Sequence, residues 1–140
     1  MQLLRPFAIA AALTGITATA QAQDDPLAAA IGARKAHMQL YAHNLGILGG
    51  MARGNMEYDA EMAAAAAEDL SALAALSQQA YWPEGSSSES YDQSKALPAI
   101  WEDAEGFEEA KAALVEATAA LAETAGDGPE GLAGLRQVGG

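Results

Sequence analysis

From Pro26 onwards the apolar positions recur at helical spacing, and no stretch alternates with period two over a useful length. The pattern predicts helices and no sheet. The first helix begins at Asp25-Pro26, a capping residue followed by a proline at the first helical position, and runs to about Arg53, where Gly54 and Asn55 end it. At 1.5 Å per residue that is about 40 Å of helix. Ile31, Met38, Leu45, Leu48 and Ala52 fall on one face of it, and Leu40, Ile47 and Met51 on a neighbouring one. Two adjacent apolar faces predict a helix with two partners. Gly46, Gly49, Gly50 and Gly54 follow no strand, so they read as helix–helix contacts or a helix end, not a phosphate loop.

Asp59 caps a second predicted helix that passes through Met62, Ala66, Leu70, Leu73 and Leu76 and ends near Ala80; its alanine content favours helix strongly. Pro83, Gly85 and a run of serines make Tyr81 to Ser94 a loop. Pro98 restarts the chain, and Ile100, Trp101, Phe107, Leu114 and Leu121 carry a third helix to Gly126. Asp127-Gly128-Pro129 is a turn, and Leu132 and Leu135 mark a fourth segment from Glu130 to Val138. Short links with one longer crossover predict an all-α protein: an antiparallel four-helix bundle with its fourth helix incomplete in this chain.

The first 22 residues change the picture of where the domain starts. Arg5, the apolar run from Phe7 to Ala20 and the small-x-small site Ala20-Gln21-Ala22 have the pattern of a secretory signal peptide. The run is too short and too rich in Ala and Thr for a membrane span. Cleavage after Ala22 leaves residues 23–140 as one exported, periplasmic domain. Losing Arg5 while keeping all 19 acidic residues takes the formal charge from −12 to −13. So acidic a surface repels nucleic acid and anionic lipid, which makes both poor candidates as partners, and favours a cationic protein partner. With no cysteine in the chain, disulfides are excluded, and stability must come from packing or a cofactor. Much of the 51% hydrophobic fraction is alanine, which buries little area, lets helices approach closely and leaves room for a large guest.

Candidate chemistry is sparse. His37 and His43, six apart, do not share a helix face. Neither has an acidic residue at i+3 or i+4, and the Glu-x-x-His pattern of di-iron bundles is missing. Both are expected to be solvent-exposed or partly packed. There is no cysteine nucleophile, serine-centred motif or phosphate loop, so the chain reads as a non-enzyme. Glu102, Asp103, Glu105, Glu108 and Glu109 read as a solvated face, not a hydrolytic carboxylate pair. Met38 has two readings: a gap-filling core methionine, or a thioether facing a haem iron across the bundle, with Arg34 and Lys35 near the propionates.

The block Arg34-Lys35-Ala36-His37-Met38-Gln39-Leu40, followed by Met51-Ala52-Arg53-Gly54 and Tyr58-Asp59, resembles the first helix of class II c-type cytochromes. These are the cytochrome c′ family and its low-spin, Met-ligated relatives. Trp82-Pro83-Glu84-Gly85-Ser86 is similar to the family's aromatic-Pro-x-Gly-Ser/Thr loop, and Leu97-Pro98-Ala99-Ile100-Trp101 to its Pro-x-Ile-Trp helix start. Leu135-Arg136-Gln137-Val138-Gly139-Gly140 resembles the segment just before the haem motif, so the resemblance spans essentially residues 23–140.

In that family the fourth helix continues past Gly-Gly into Cys-x-x-Cys-His, whose thiols hold the haem and whose histidine is the proximal iron ligand. The resemblance therefore implies haem c as cofactor and a sequence truncated just before the attachment cysteines and proximal histidine. It implies the distal position for Met38, as iron ligand in low-spin members or beside a five-coordinate iron in high-spin ones. Arg34 and Lys35 match the haem-edge arginine and its neighbour, although lysine is a point charge where the family often has glutamine. Leu97 and Pro98 are expected to flank the haem from the third helix. The expected function is a periplasmic, haem-binding electron-transfer protein with a redox partner protein and a homodimer contact through the first helix. Two alternatives stand beside it: a gas-binding high-spin cytochrome, and a haemless helical-bundle adaptor, which the missing cysteines favour.

Overall fold

The computed structural model describes residues 25–138, with the backbone alone for Arg136 and Gln137; the expected signal peptide over residues 1–22 lies outside them. Helix α1 spans Pro26–Ala52. The Asp25 carboxylate starts it, accepting from the Leu27 amide at 2.9 Å and the Ala28 amide at 3.3 Å, while Pro26 sits where its missing N–H costs nothing. The other Asp25 oxygen accepts from the Tyr91 hydroxyl at 2.8 Å. That bond, and then the Ala28 amide, hold the Asp25 carboxyl below its usual range. The helix closes at Gly54, whose φ of +71° suits a residue without Cβ. Gly49 abuts the Arg53 side chain and Gly50 abuts Met56, so these glycines serve the helix end and not a contact with another helix.

Helix α2, Ala60–Ala75, is capped by Asp59, which accepts from the Met62 amide at 2.7 Å. It stops short of the expected Ala80: Leu76 turns extended at ψ 138°, and Gln79–Tyr81 form a separate 3-10 turn. Bonds from α1 to Tyr81 and Ser86 draw this chain away from the helix axis, so tertiary contacts override helix propensity. The expected third helix is two helices, α3 at Ala99–Glu102 and α4 at Ala104–Thr124. Asp103 leaves helical conformation (φ −124°, ψ 66°) and caps α4 by accepting from the Gly106 amide at 3.1 Å. A short carboxylate competing for backbone amides is the cause of the break. The fourth segment is a 3-10 helix, Pro129–Gly134, followed by one helical turn, α5, at Leu135–Val138.

Helix α2 packs against both α1 and α4, while residues 129–138 bridge α4 back to α1 and fill the fourth position of the bundle. The Tyr58 hydroxyl pins the turn before that segment, donating to the Ala125 carbonyl at 2.8 Å and accepting from the Gly128 amide at 2.9 Å. Leu48, Leu70 and Leu121 are the largest apolar side chains fully buried at the centre, with Ala63, Ala67 and Ala125 between them. Small side chains let α2 approach its neighbours closely, as the composition predicted. No helix among the described residues is long and apolar enough to cross a membrane.

Helix α1 departs most from its sequence pattern. Its inward stripe is Ile31, Arg34, His37, Tyr41, Asn44, Leu48 and Met51, centred between the two apolar faces read from the sequence. Met38 and Leu40 stand 58% and 52% exposed. Only His43 is the exposed histidine expected; His37 is buried. The physical reason is that the 81–94 segment meets this face, supplying oxygens that satisfy Arg34 and the Tyr81 ring that covers His37.

Candidate functional site

Arg34 is the polar centre of this region. Its Nη1 donates to the Tyr81 carbonyl at 3.1 Å and the Ser86 hydroxyl at 2.8 Å. Its Nη2 donates to the Ser86 carbonyl at 2.5 Å and the Ser94 hydroxyl at 2.7 Å. The guanidinium also lies 5.0 Å from the Trp82 ring centroid, a cation–π distance. Burial lowers its pKa, but an arginine stays charged under any ordinary condition.

One turn along α1, the His37 ring packs on Tyr41 with centroids 4.9 Å apart and on Tyr81 at 5.8 Å. Its Nε2 and the Tyr41 hydroxyl are buried without hydrogen-bond partners. Burial pushes the His37 pKa down and the Tyr41 pKa up, because each shift favours the neutral form.

Beyond Arg34 the aromatic residues converge. Trp82 meets Phe107 edge-on at 5.2 Å and Trp101 at 6.4 Å, and the Trp101 indole donates to the Trp82 carbonyl at 3.1 Å. With Leu76 and Ile100 these rings line a cavity of about 550 Å³, which also has Lys111 in its wall. That volume lies within the roughly 300–1,000 Å³ of small-molecule and cofactor sites. A smaller cleft of about 320 Å³ lies between Leu40 and Asn44 of α1 and Leu73 of α2. No group of three or more His, Asp or Glu among the described residues gathers as a metal site.

The five site residues expected from sequence are divided by the structure. Arg34 and Lys35 both bind the 81–94 segment; the Lys35 ammonium donates to the Gln93 carbonyl at 2.7 Å. Pro98 is half-buried and leads into α3, whose Ile100 and Trp101 line the cavity. Met38 and Leu97 stand exposed, at 58% and 66%. None of the five lines the 550 Å³ cavity itself. Sequence reasoning assigned no site role to Trp82, Phe107, His37 or Tyr41. A signal for the last two was present: with Arg34 and Leu48 they fall at spacings of three, four and seven, which traces one face once polar residues are admitted to it.

The sequence profile of the family described as Cytochrome C′ matches residues 29–138. The chain belongs to the cytochrome c′ family. It is 36% identical to cytochrome c′ of Cereibacter sphaeroides over 138 residues, covering 98% of this chain and 91% of the relative. It is 43% identical to cytochrome c-554 of the same organism over 103 residues, 73% of this chain and 67% of that one. Its fold matches a solved cytochrome c′ from Rhodobacter spheriodes with a TM-score of 0.78 at 38% identity, covering 81% of this chain and 88% of that one. The four-helix bundle of this cytochrome c′ family is therefore the architecture seen here, and its cofactor is haem c.

The residues present fit part of such a group. Three aromatic rings set edge-on, with Leu76 and Ile100 beside them, give the cavity an apolar lining that suits a macrocycle, while its one lysine, Lys111, is already ion-paired with Glu108 at 3.0 Å. Covalent attachment needs thiols, and the 140 residues contain none. The described residues of this cytochrome c′ family member thus offer an apolar cavity of cofactor size.

Proposed function

We propose that the chain forms the distal side of the haem pocket in a periplasmic electron carrier, with the Met38 thioether as the distal iron ligand. The observation that carries this reading is the placement of Met38. It stands exposed in the middle of α1, outside the buried stripe, which argues against a core gap-filler and leaves its sulfur free for a group seated on that side. Bound haem supplies a one-electron iron couple, and Met/His ligation raises its potential in a way that suits electron transfer. The chain's own residues do the rest. Trp82, Trp101 and Phe107 would supply an apolar wall, Arg34 and Lys35 hold the 81–94 segment that carries Trp82, and Pro98 leads the chain into α3. The acidic surface supports a cationic redox partner, and the exposed Leu40 supports a homodimer contact through α1. The signal-like pattern of residues 1–22 supports export to the periplasm.

The test uses the chain extended past Gly140 by a Cys-x-x-Cys-His segment, so that haem c can attach. The ferrous protein is expected to be low-spin and to refuse carbon monoxide, and Met38→Ala to become high-spin and bind it. Prompt binding by the unsubstituted protein would favour the gas-binding alternative. Failure to take up haem at all would favour the haemless adaptor.

A further inference from the structure

Every hydrogen-bond partner of Arg34 is a neutral oxygen, and all of them belong to one segment, residues 81–94. A buried guanidinium without a carboxylate is costly. Here four bonds and the Trp82 face offset that cost. The acceptors are themselves held. The Ser94 hydroxyl donates to the Ser86 carbonyl at 2.7 Å and accepts from the Ala96 amide at 3.1 Å. The Ser86 hydroxyl donates to the Pro83 carbonyl at 2.7 Å. As a result three consecutive carbonyls are fixed: Tyr81 by Arg34, Trp82 by the Trp101 indole, and Pro83 by Ser86. The Trp82 ring hangs from the middle one.

We infer that Arg34 is a positioning residue: anchored in α1, it clamps the 81–94 segment and so fixes Trp82 as a wall of the 550 Å³ cavity. Lysine could not replace it, because one ammonium cannot span acceptors that the planar fork reaches together. The inference deepens the haem reading and rests on it only for what the cavity takes; the clamp itself is a property of the chain without haem.

Amide hydrogen exchange and near-ultraviolet circular dichroism on the full chain test it, comparing the parent with Arg34→Lys and the milder Ser94→Ala. Ser88 and Tyr91 report on the segment, since their amides bond the Ala96 and Ser87 carbonyls at 2.7 Å and 3.0 Å. Loss of one charged hydrogen bond is expected to speed their exchange about tenfold or more. The tryptophan dichroism should weaken with it, while core amides of α2 and α4 keep the parent's protection. A uniform change across all amides, or an unaltered tryptophan signal, would show that Arg34 supplies general stability and no positioning. If Arg34→Lys fails to fold, Ser94→Ala decides by the same two readouts. Neither readout needs haem, so failure of the clamp and failure of the haem reading are separate results.

Discussion

Acidification should loosen this bundle through His37. The ring is buried, at 5% exposure; its Nε2 has no partner; and it is packed between Tyr41 and Tyr81, with the Arg34 guanidinium one turn away on α1. Burial holds its folded-state pKa below the ordinary 6.5. The unfolded chain therefore binds the proton more readily, and stability falls as the pH drops through about 6.5 towards the folded value. One proton sets the ceiling on that slope, about 1.4 kcal/mol per pH unit. His37→Phe keeps a ring against both tyrosines and removes the orphaned nitrogen. It should gain about 1 kcal/mol at neutral pH, since an unsatisfied buried polar atom costs about 1–3 kcal/mol, and it should flatten the profile between about pH 7 and 5.5, above the range where carboxylates titrate. Urea unfolding followed by far-ultraviolet circular dichroism at stepped pH measures both effects, with His43→Gln as the exposed control. A parent protein equally stable across that range, or a His37→Phe variant with the parent's slope, would refute the reasoning.

Two further expectations concern the bundle. Leu70→Ala, at a position with no exposed surface between α1 and α4, should cost about 2–5 kcal/mol in urea unfolding, the range for emptying a packed leucine site. Tyr58→Phe removes a hydroxyl that serves both the Ala125 carbonyl and the Gly128 amide; a loss of about 1–2 kcal/mol is expected, with faster exchange of the Gly128 amide as its local signature.

The boundaries of α1, the Asp59 cap and the 127–129 turn were legible in the sequence because each rests on local chemistry: a capping carboxylate, a proline at a first-turn position, a glycine at positive φ. The break at Asp103 and the early end of α2 were not, since both depend on bonds the backbone makes to a competing side chain or a distant residue. The inward face of α1 was misread for a related reason. Hydrophobic periodicity treats Arg34, His37 and Asn44 as outward, and only the oxygens and ring of the 81–94 segment make burial of Arg34 and His37 tolerable. The aromatic wall was likewise hidden. Trp82 and Trp101 were visible as parts of two separate motifs, and the cavity exists because the segment held by Arg34 carries one of them to the other.

The placement of Met38 beside a haem iron is the centre of the functional account. Iron X-ray absorption on the haem-loaded, extended protein tests it most directly, because it reads the atoms bound to the metal. A sulfur scatterer in the first shell that disappears in Met38→Ala is the expected result. A shell of nitrogen alone, unchanged by that substitution, would contradict the account.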